Sequence, residues 1–350
     1  MALVLALTGY VCWHLWRIAP LGWKLVVVGS FLLWMVSLFA GFALNDRIPM
    51  TAASVLYEVG NTWLVAFLYF LLVFLLADLL SLVHVLPKTF LKDSLPGLCT
   101  VVGIVALILT LGGFHYHHKY REEMTLVTEK PLEKPLTLVL ASDLHVGYHN
   151  RKPELARWVR LINAENPDLI LFGGDVIDLS LRPVMEGNCQ EEFHKLNAPV
   201  MTVLGNHEFY SNLDGAQKFF EDAGILLLKD PVAHFKGLDI IGRNDRTSQE
   251  RADVKDLAEG LEGFTILLDH QPYHLEEAEE AGIDFQFSGH THRGQVWPLS
   301  WATDAMYEKA WGHHRRGNTQ YYISSGLGIW GPKIRIGTRS EYLVLHIVNQ

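Results

Sequence analysis

Cysteine is scarce. The 350 residues hold three, at positions 12, 99 and 189. Cys12 and Cys99 lie in apolar stretches, and no pair has zinc-finger spacing or implies a disulfide framework. Any metal site must therefore rest on histidine and aspartate. An excess of positive charge is lacking too. The formal net charge is -9, with 29 Lys and Arg against 38 Asp and Glu. That leaves out the broad basic face that nucleic-acid binding requires, though not a local basic pocket. The third scarcity is local: Asp, Glu, Lys and Arg are sparse through Phe114 and spread throughout the remainder. This segregation reconciles a positive mean hydropathy of +0.15 with 19% charged residues.

Four apolar runs fill the charge-poor third, at 3–16, 23–44, 63–86 and 98–114. The second and third reach the ~20 residues that cross a hydrocarbon core, and the fourth is adequate. The first is short. It has no positive n-region and no cleavage site after it, so it reads as a short first span or a re-entrant segment, not a cleavable signal. Trp13, Trp16, Trp23 and Trp63 lie near run ends, as interfacial aromatics do. Arg17 and Lys24 mark the first loop and Lys88 and Lys92 the third, whereas Arg47 in the second is balanced by Asp46 and Glu58. Positive-inside orientation places loops one and three in the cytoplasm. Four spans then make a multi-pass integral membrane protein with its C-terminal part outside the cytoplasm. Three spans would reverse that side, and Lys119 and Arg121 pull weakly the same way. Asp78 stands inside the third run. An ionisable group there is a functional hypothesis by default; the favoured reading pairs it with His14 or Arg17.

From Leu136 the pattern changes to short apolar strands followed by polar loops. Strands are predicted at 136–141, 169–172, 200–204, 238–241, 265–268, 285–287, 321–324 and 342–348. Helical spacing falls at Leu155, Trp158, Val159 and Ile162, and again over 215–223 and 274–281. This is an α/β layered domain. The informative residues follow the strands: Asp143-Leu144-His145, Gly174-Asp175 through Asp178, Gly205-Asn206-His207-Glu208, Asp269-His270, and Gly289-His290-Thr291-His292. In open α/β sheets, sites form beyond the carboxyl ends of strands. Two divalent cations about 3.5–4 Å apart need one bridging carboxylate, and Asp175 is the natural candidate. Imidazole and carboxylate suit zinc, iron and manganese. Each block alone is weak; five in order at strand ends are not.

Together the blocks resemble the calcineurin-like metallophosphoesterase superfamily, over roughly residues 130–350. The resemblance also takes in Ser324 through Gly328, Pro332 through Arg335, and Glu341. It implies a four-layer αββα sandwich preceded by about four transmembrane helices. The domains would be 1–114 (membrane helices), 115–130 (juxtamembrane linker) and 131–350 (metallophosphoesterase). It implies two divalent metal ions, manganese first, with iron or zinc as alternatives. Asp143, His145, Asp175 and His292 would hold one, and Asp175, Asn206, His270 and His290 the other. His207 would be the general acid beside the phosphate, with Asp178 behind the ligands. The implied activity is metal-dependent hydrolysis of a phosphomonoester, phosphodiester or pyrophosphate. The substrate is a phosphorylated molecule, lipid-linked given the membrane helices, or else a soluble nucleotide or sugar phosphate; membrane lipids are the other partner. A non-catalytic binding module and a transporter with an accessory domain are the remaining alternatives. The first usually loses ligands, and the second wants several facing polar residues within its spans.

Two further features stand out. The segment 297–317 exceeds the ~12–15 residues of an ordinary loop. Trp311, Arg315 and Arg316 within it suit an amphiphilic phosphate, against a packed loop as the alternative. His115, His117 and His118 form a cluster read as interfacial, and 242–246 is either a phosphate-meeting loop or a salt-bridged turn.

Overall fold

The computed structural model describes residues 2–350. Its contacts divide the chain into two units. One runs through His115 and includes Gly331–Ile334; the other comprises Tyr116–Trp330 and Arg335–Gln350.

The first unit contains four helices: α1 (Ala2–Ile18), α2 (Lys24–Leu44), α3 (Met50–Leu82) and α4 (Leu95–His117), the last ending two residues beyond the division. Apolar sequence without water to satisfy its backbone is stable only when that backbone bonds internally. Three helices, Leu21–Leu44, Met50–Leu82 and Leu95–His117, are long and apolar enough to cross a membrane. The 17-residue α1 spans about 26 Å at ~1.5 Å per residue, just short of a ~30 Å hydrocarbon core. The third run begins earlier than its apolar signal, because α3 opens on a polar and small stretch that packs on α2. A Cβ on Gly60 would lie 2.6 Å from the Leu38 Cα, so only glycine allows this approach. Asp78 Oδ2 accepts a hydrogen bond from the Tyr10 hydroxyl at 2.7 Å and lies 3.0 Å from His14 Nε2. The expected pairing is thus with His14, joined by Tyr10, while Arg17 lies over the Trp13 ring.

The second unit is built on twelve strands. They are β1 (Lys119–Thr128), β2 (Leu136–Ala141), β3 (Leu169–Phe172), β4 (Val200–Thr202), β5 (Leu226–Leu227), β6 (Val232–Phe235), β7 (Leu238–Gly242), β8 (Phe264–Leu268), β9 (Phe285–Ser288), β10 (Gly312–Arg316), β11 (Thr319–Ile323) and β12 (Ser340–Asn349). One sheet has the order β1-β12-β2-β3-β4-β5, the other β10-β11-β9-β8-β7-β6. Strands β2 to β5 are mutually parallel, as are β7, β8, β9 and β11; β12 against β2, β6 against β7 and β10 against β11 are antiparallel.

Period-2 side-chain alternation makes the layers. Leu138, Leu140, Leu169 and Leu171 of one sheet meet Ile240, Ile266, Phe285 and Phe287 of the other in one core. Val139, Ala141, Ile170 and Phe172 turn the opposite way, onto Leu155, Trp158, Val159 and Ile162 of the helix Lys152–Ala164. On the far face, Ile241, Leu267, Tyr321 and Ile323 pack with Val254, Leu275 and Ala278 from short helices. This is the expected αββα sandwich.

Two expectations change. The stretch 115–130 is not a linker: it holds β1, which pairs in parallel with β12 from Lys119 opposite Ser340 to Thr128 opposite Asn349. β1 is an edge strand whose outward positions carry charge, which disguised it as a polar connection. Nor is 297–317 a structureless loop, since it contains a helix, Leu299–Met306, and β10.

Candidate metal centre

The carboxyl ends of β2, β3, β4, β8 and β9 deliver their polar residues to one edge. The chain must turn sharply there, and it does so through left-handed backbone at the functional residues themselves. Asp143 (φ 55°), His145 (46°), Asp175 (51°), His290 (69°) and His292 (47°) all lie in that region. Such conformations cost roughly 1–3 kcal/mol each for a residue with a Cβ, and they persist where the surroundings over-determine them. Gly174 (φ 89°) completes the turn after β3. A Cβ there would press on the His270 ring at 2.7 Å.

The structure brings all seven residues expected as ligands to this edge. His145 Nε2 lies 3.2 Å from His292 Nε2, 3.6 Å from Asp175 Oδ2 and 3.8 Å from Asp143 Oδ1. His292 Nε2 is 3.3 Å from Asp143 Oδ1. On the other side, His270 Nε2 is 3.2 Å from Asp175 Oδ2, and His290 Nδ1 is 2.9 Å from Asn206 Oδ1. Asp175 stands in both groups, as a bridging carboxylate would. Three sets have atoms close enough to share an ion: Asp143, His145 and His292; His145, Asp175 and His207; and Asp175, His270 and His290.

Charge is concentrated and almost fully buried. Burial opposes ionisation of Asp143, yet His292 and His145 hold its carboxyl well below the usual range. Burial likewise opposes the charge on Asp175, which His270 and His207 more than offset, and on Asp178, which His145 and His207 offset. Burial works against a charged His145, but its contacts with Asp143 and Asp178 push it up to about 10. Burial lowers His290 and His292. The edge therefore demands positive charge that imidazoles can supply only in part.

The donor set fits divalent cations. His270 Nδ1 donates to the Gly173 carbonyl at 2.7 Å, which turns Nε2 toward Asp175; against the cost of burial, the charge of Asp175 raises the imidazole well above its ordinary range. That nitrogen is fully buried, has no hydrogen-bond partner and faces a carboxylate oxygen. The Nε2 atoms of His145 and His292 converge at 3.2 Å beside Asp143 Oδ1. Imidazole nitrogens and carboxylate oxygens converging in one buried site are the donor set that a divalent transition-metal ion takes.

Asp178 Oδ1 lies 3.3 Å from His145 Nδ1 and 3.1 Å from His207 Nδ1, so one carboxylate orients both rings. His207 sits at the mouth, its backbone N–H donating to Asp175 Oδ1 at 2.9 Å. Two contributors escaped the sequence reading. Glu208 accepts from the backbone N–H groups of Gly205 (2.8 Å), Ile177 (2.9 Å) and Asp175 (3.2 Å), clamping the turns after β3 and β4 together. Burial, then the Asp175 charge, raises its carboxyl to about 7. Arg335 is fully buried and donates to the carbonyls of His292 (2.9 Å) and Gly328 (3.0 Å). The only sequence signals were the Gly-Asn-His-Glu block and the run from Pro332 to Arg335.

Other expected residues do not join the centre. Asp269 pairs with Arg251 (2.6 Å) and Arg243 (3.3 Å), and Arg243 also with Glu277, so 242–246 contains a salt-bridged turn. Trp311 is packed between the guanidinium groups of Arg293 (4.2 Å) and Arg339 (4.7 Å), and its indole N–H donates to Glu341. Arg315 and Arg316 lie at the wrong end of β10. Gly312 pairs with Ile323 near the metal edge, whereas Arg316 pairs with Thr319 four rungs away. Arg316 is held by Glu308 (2.7 Å) and Glu279 (2.9 Å). His115, His117 and His118 are in none of the candidate ion clusters among the described residues.

An αββα sandwich with buried His and Asp at converging strand ends defines the metallophosphoesterase class of domain. Residues 136–294 match the family model for calcineurin-like phosphoesterases. It is 31% identical over 225 residues to an uncharacterized metallophosphoesterase of Helicobacter pylori, covering 62% of this chain and 61% of that protein. A transmembrane protein with metallophosphoesterase domain from Danio rerio is 29% identical, covering 68% of this chain and 61% of its own. An uncharacterized metallophosphoesterase of Aquifex aeolicus is 26% identical, covering 69% and 97%. The match thus spans under two thirds of the length of the Helicobacter and Danio relatives.

Proposed function

We propose that this protein is a membrane-anchored, two-metal phosphoesterase acting on a lipid-linked phosphate. Asp143, His145, Asp175 and His292 would hold one cation and Asp175, Asn206, His270 and His290 the other. The convergence of two buried His/Asp clusters on Asp175 and its neighbours is the observation that carries this reading. Two divalent ions there, manganese in the first instance, would clamp a phosphoryl group and activate a water for attack.

The protein's own residues do the rest. Asp178 accepts the Nδ1–H of His207 and stabilises the ring as an imidazolium, whose second proton is on Nε2. From the mouth the His207 imidazolium gives its Nε2 proton to the leaving oxygen and is left as the neutral ring with Nδ1–H on Asp178. Glu208 and Arg335 hold the turns that carry the ligands and touch nothing that reacts. Loop charge supports a multi-pass arrangement with this domain outside the cytoplasm. The test is hydrolysis of an aryl phosphate by purified full-length protein. Turnover that a chelator abolishes and manganese restores is expected; chelator-insensitive turnover, or none with any divalent ion, would count against the proposal.

A further inference from the structure

Beside the metal centre lies an apolar surface that the catalytic reading leaves without a role. After His292 the chain passes Trp297 and enters the helix Leu299–Met306 (LSWATDAM), in which Asp304 is the single charge. Trp301 and Met306 are each 65% exposed, Leu299 47% and Trp297 41%. The two indoles pack edge to face, with ring centres 5.3 Å apart. Ser300 is the one buried residue of the helix. Exposed Trp, Leu and Met gathered on one short element mark a contact with something apolar.

Both ends of this element are fixed to the site. Upstream, the Trp297 N–H donates to the Ile336 carbonyl at 2.7 Å, and the Thr291 hydroxyl, between the two ligand histidines, donates to the Ala310 carbonyl at 2.6 Å. Downstream, Tyr307 turns inward. Its hydroxyl bonds that of Tyr273 at 3.0 Å, and its ring centre lies 6.5 Å from that of His290. The Arg246 guanidinium stacks on Tyr273 at 4.4 Å. An apolar outer surface, an aromatic pair with a cation, and the metal ligands thus follow one another.

The occupant must be apolar, wide and always within reach. A single residue, His118, separates α4, a helix able to cross a membrane, from β1 of this domain. A bilayer meets these conditions, and tryptophan with neighbouring aliphatic side chains is the composition that settles at its interface. We infer that Trp297 and the helix Leu299–Met306 insert into the bilayer surface and bind the acyl or prenyl portion of a phosphorylated lipid, whose phosphate then reaches the metals past Tyr273, Tyr307 and Arg246. The inference rests on the phosphoesterase reading for its substrate and stands apart from it for membrane insertion.

Two arms test it on the full chain in nanodiscs. In the first, tryptophan emission is quenched with dibrominated phosphatidylcholine, and the difference between wild type and Trp301→Phe isolates Trp301. Quenching of at least half of that difference is expected. An unquenched difference, as for a residue in water or covered by protein, overturns insertion whether or not the protein is active. In the second arm, kcat/KM is compared for phosphatidic acid and an aryl phosphate. In Leu299→Ser/Trp301→Ser/Met306→Ser the lipid-to-aryl ratio should fall about tenfold, through KM for the lipid. An unchanged ratio overturns the substrate class. Wild-type protein that cleaves the aryl phosphate but not the lipid overturns it too and leaves the phosphoesterase reading standing. Metal-loaded protein that cleaves neither removes that reading and the substrate class with it.

Discussion

His207 and Asp178 show how a residue can stand within a candidate ion cluster with one ring nitrogen already engaged. The imidazole approaches His145 and Asp175 closely enough to complete a candidate ion cluster, yet its Nδ1 is taken by Asp178 at 3.1 Å. With Nδ1 occupied, the ring can present only Nε2, and from the mouth of the site. In His207→Ala both metals should stay bound while kcat falls about 10²–10⁴-fold, the usual range for a lost general acid. Metal analysis beside single-turnover kinetics checks this, and loss of one ion would make His207 a ligand. At this scale the sequence was highly legible for the side chains that the structure brings together at one edge. His, Asp and Asn placed after apolar strands announce their chemistry by residue type. What it could not disclose was conformation: nothing in Asp143 or His292 signals φ near 50°. Nor does a lone arginine at 335 reveal that its guanidinium fills carbonyl acceptors around His292. Such partners are set by tertiary approach, not by local spacing.

Elements were read well where burial imposes a period and poorly at edges. β2 and β3 are buried on both faces, so they appear as unbroken apolar runs. β1 and β10 are edge strands with one open side, and their charged residues resemble loops. That resemblance misplaced Arg315 and Arg316, which looked like phosphate ligands but lie three and four rungs from the metal edge of β10. The double change Arg315→Ala/Arg316→Ala should therefore leave KM for any phosphorylated substrate within about twofold of wild type. Arg316 is partly exposed, so each of its ion pairs is worth about 0–1 kcal/mol, and only a small fall in Tm is expected. A large rise in KM would mean that substrate reaches this far along the sheet.

At the scale of the whole molecule, composition alone divides a charge-poor third from a mixed remainder, and the contacts divide the chain at nearly the same place, after His115. Which side of the membrane the second unit occupies turns on α1, whose 17 residues fall just short of a span. Tyr10 and His14 on α1 both engage Asp78 on α3, which favours an α1 that lies alongside α3 within the bilayer. A reporter fused after Gln350 that matures only outside the cytoplasm should accordingly be active, and a cytoplasm-only reporter silent; the reverse pattern would leave α1 outside the set of spans. The chemistry rests on a narrower point, the bridging role of Asp175. Metal content and aryl-phosphate turnover, measured together on wild type and Asp175→Asn, test it most directly. Two ions per wild-type chain, with metal and turnover both collapsing in the variant, is the expected result; a variant that keeps both ions and wild-type turnover would contradict the two-metal centre.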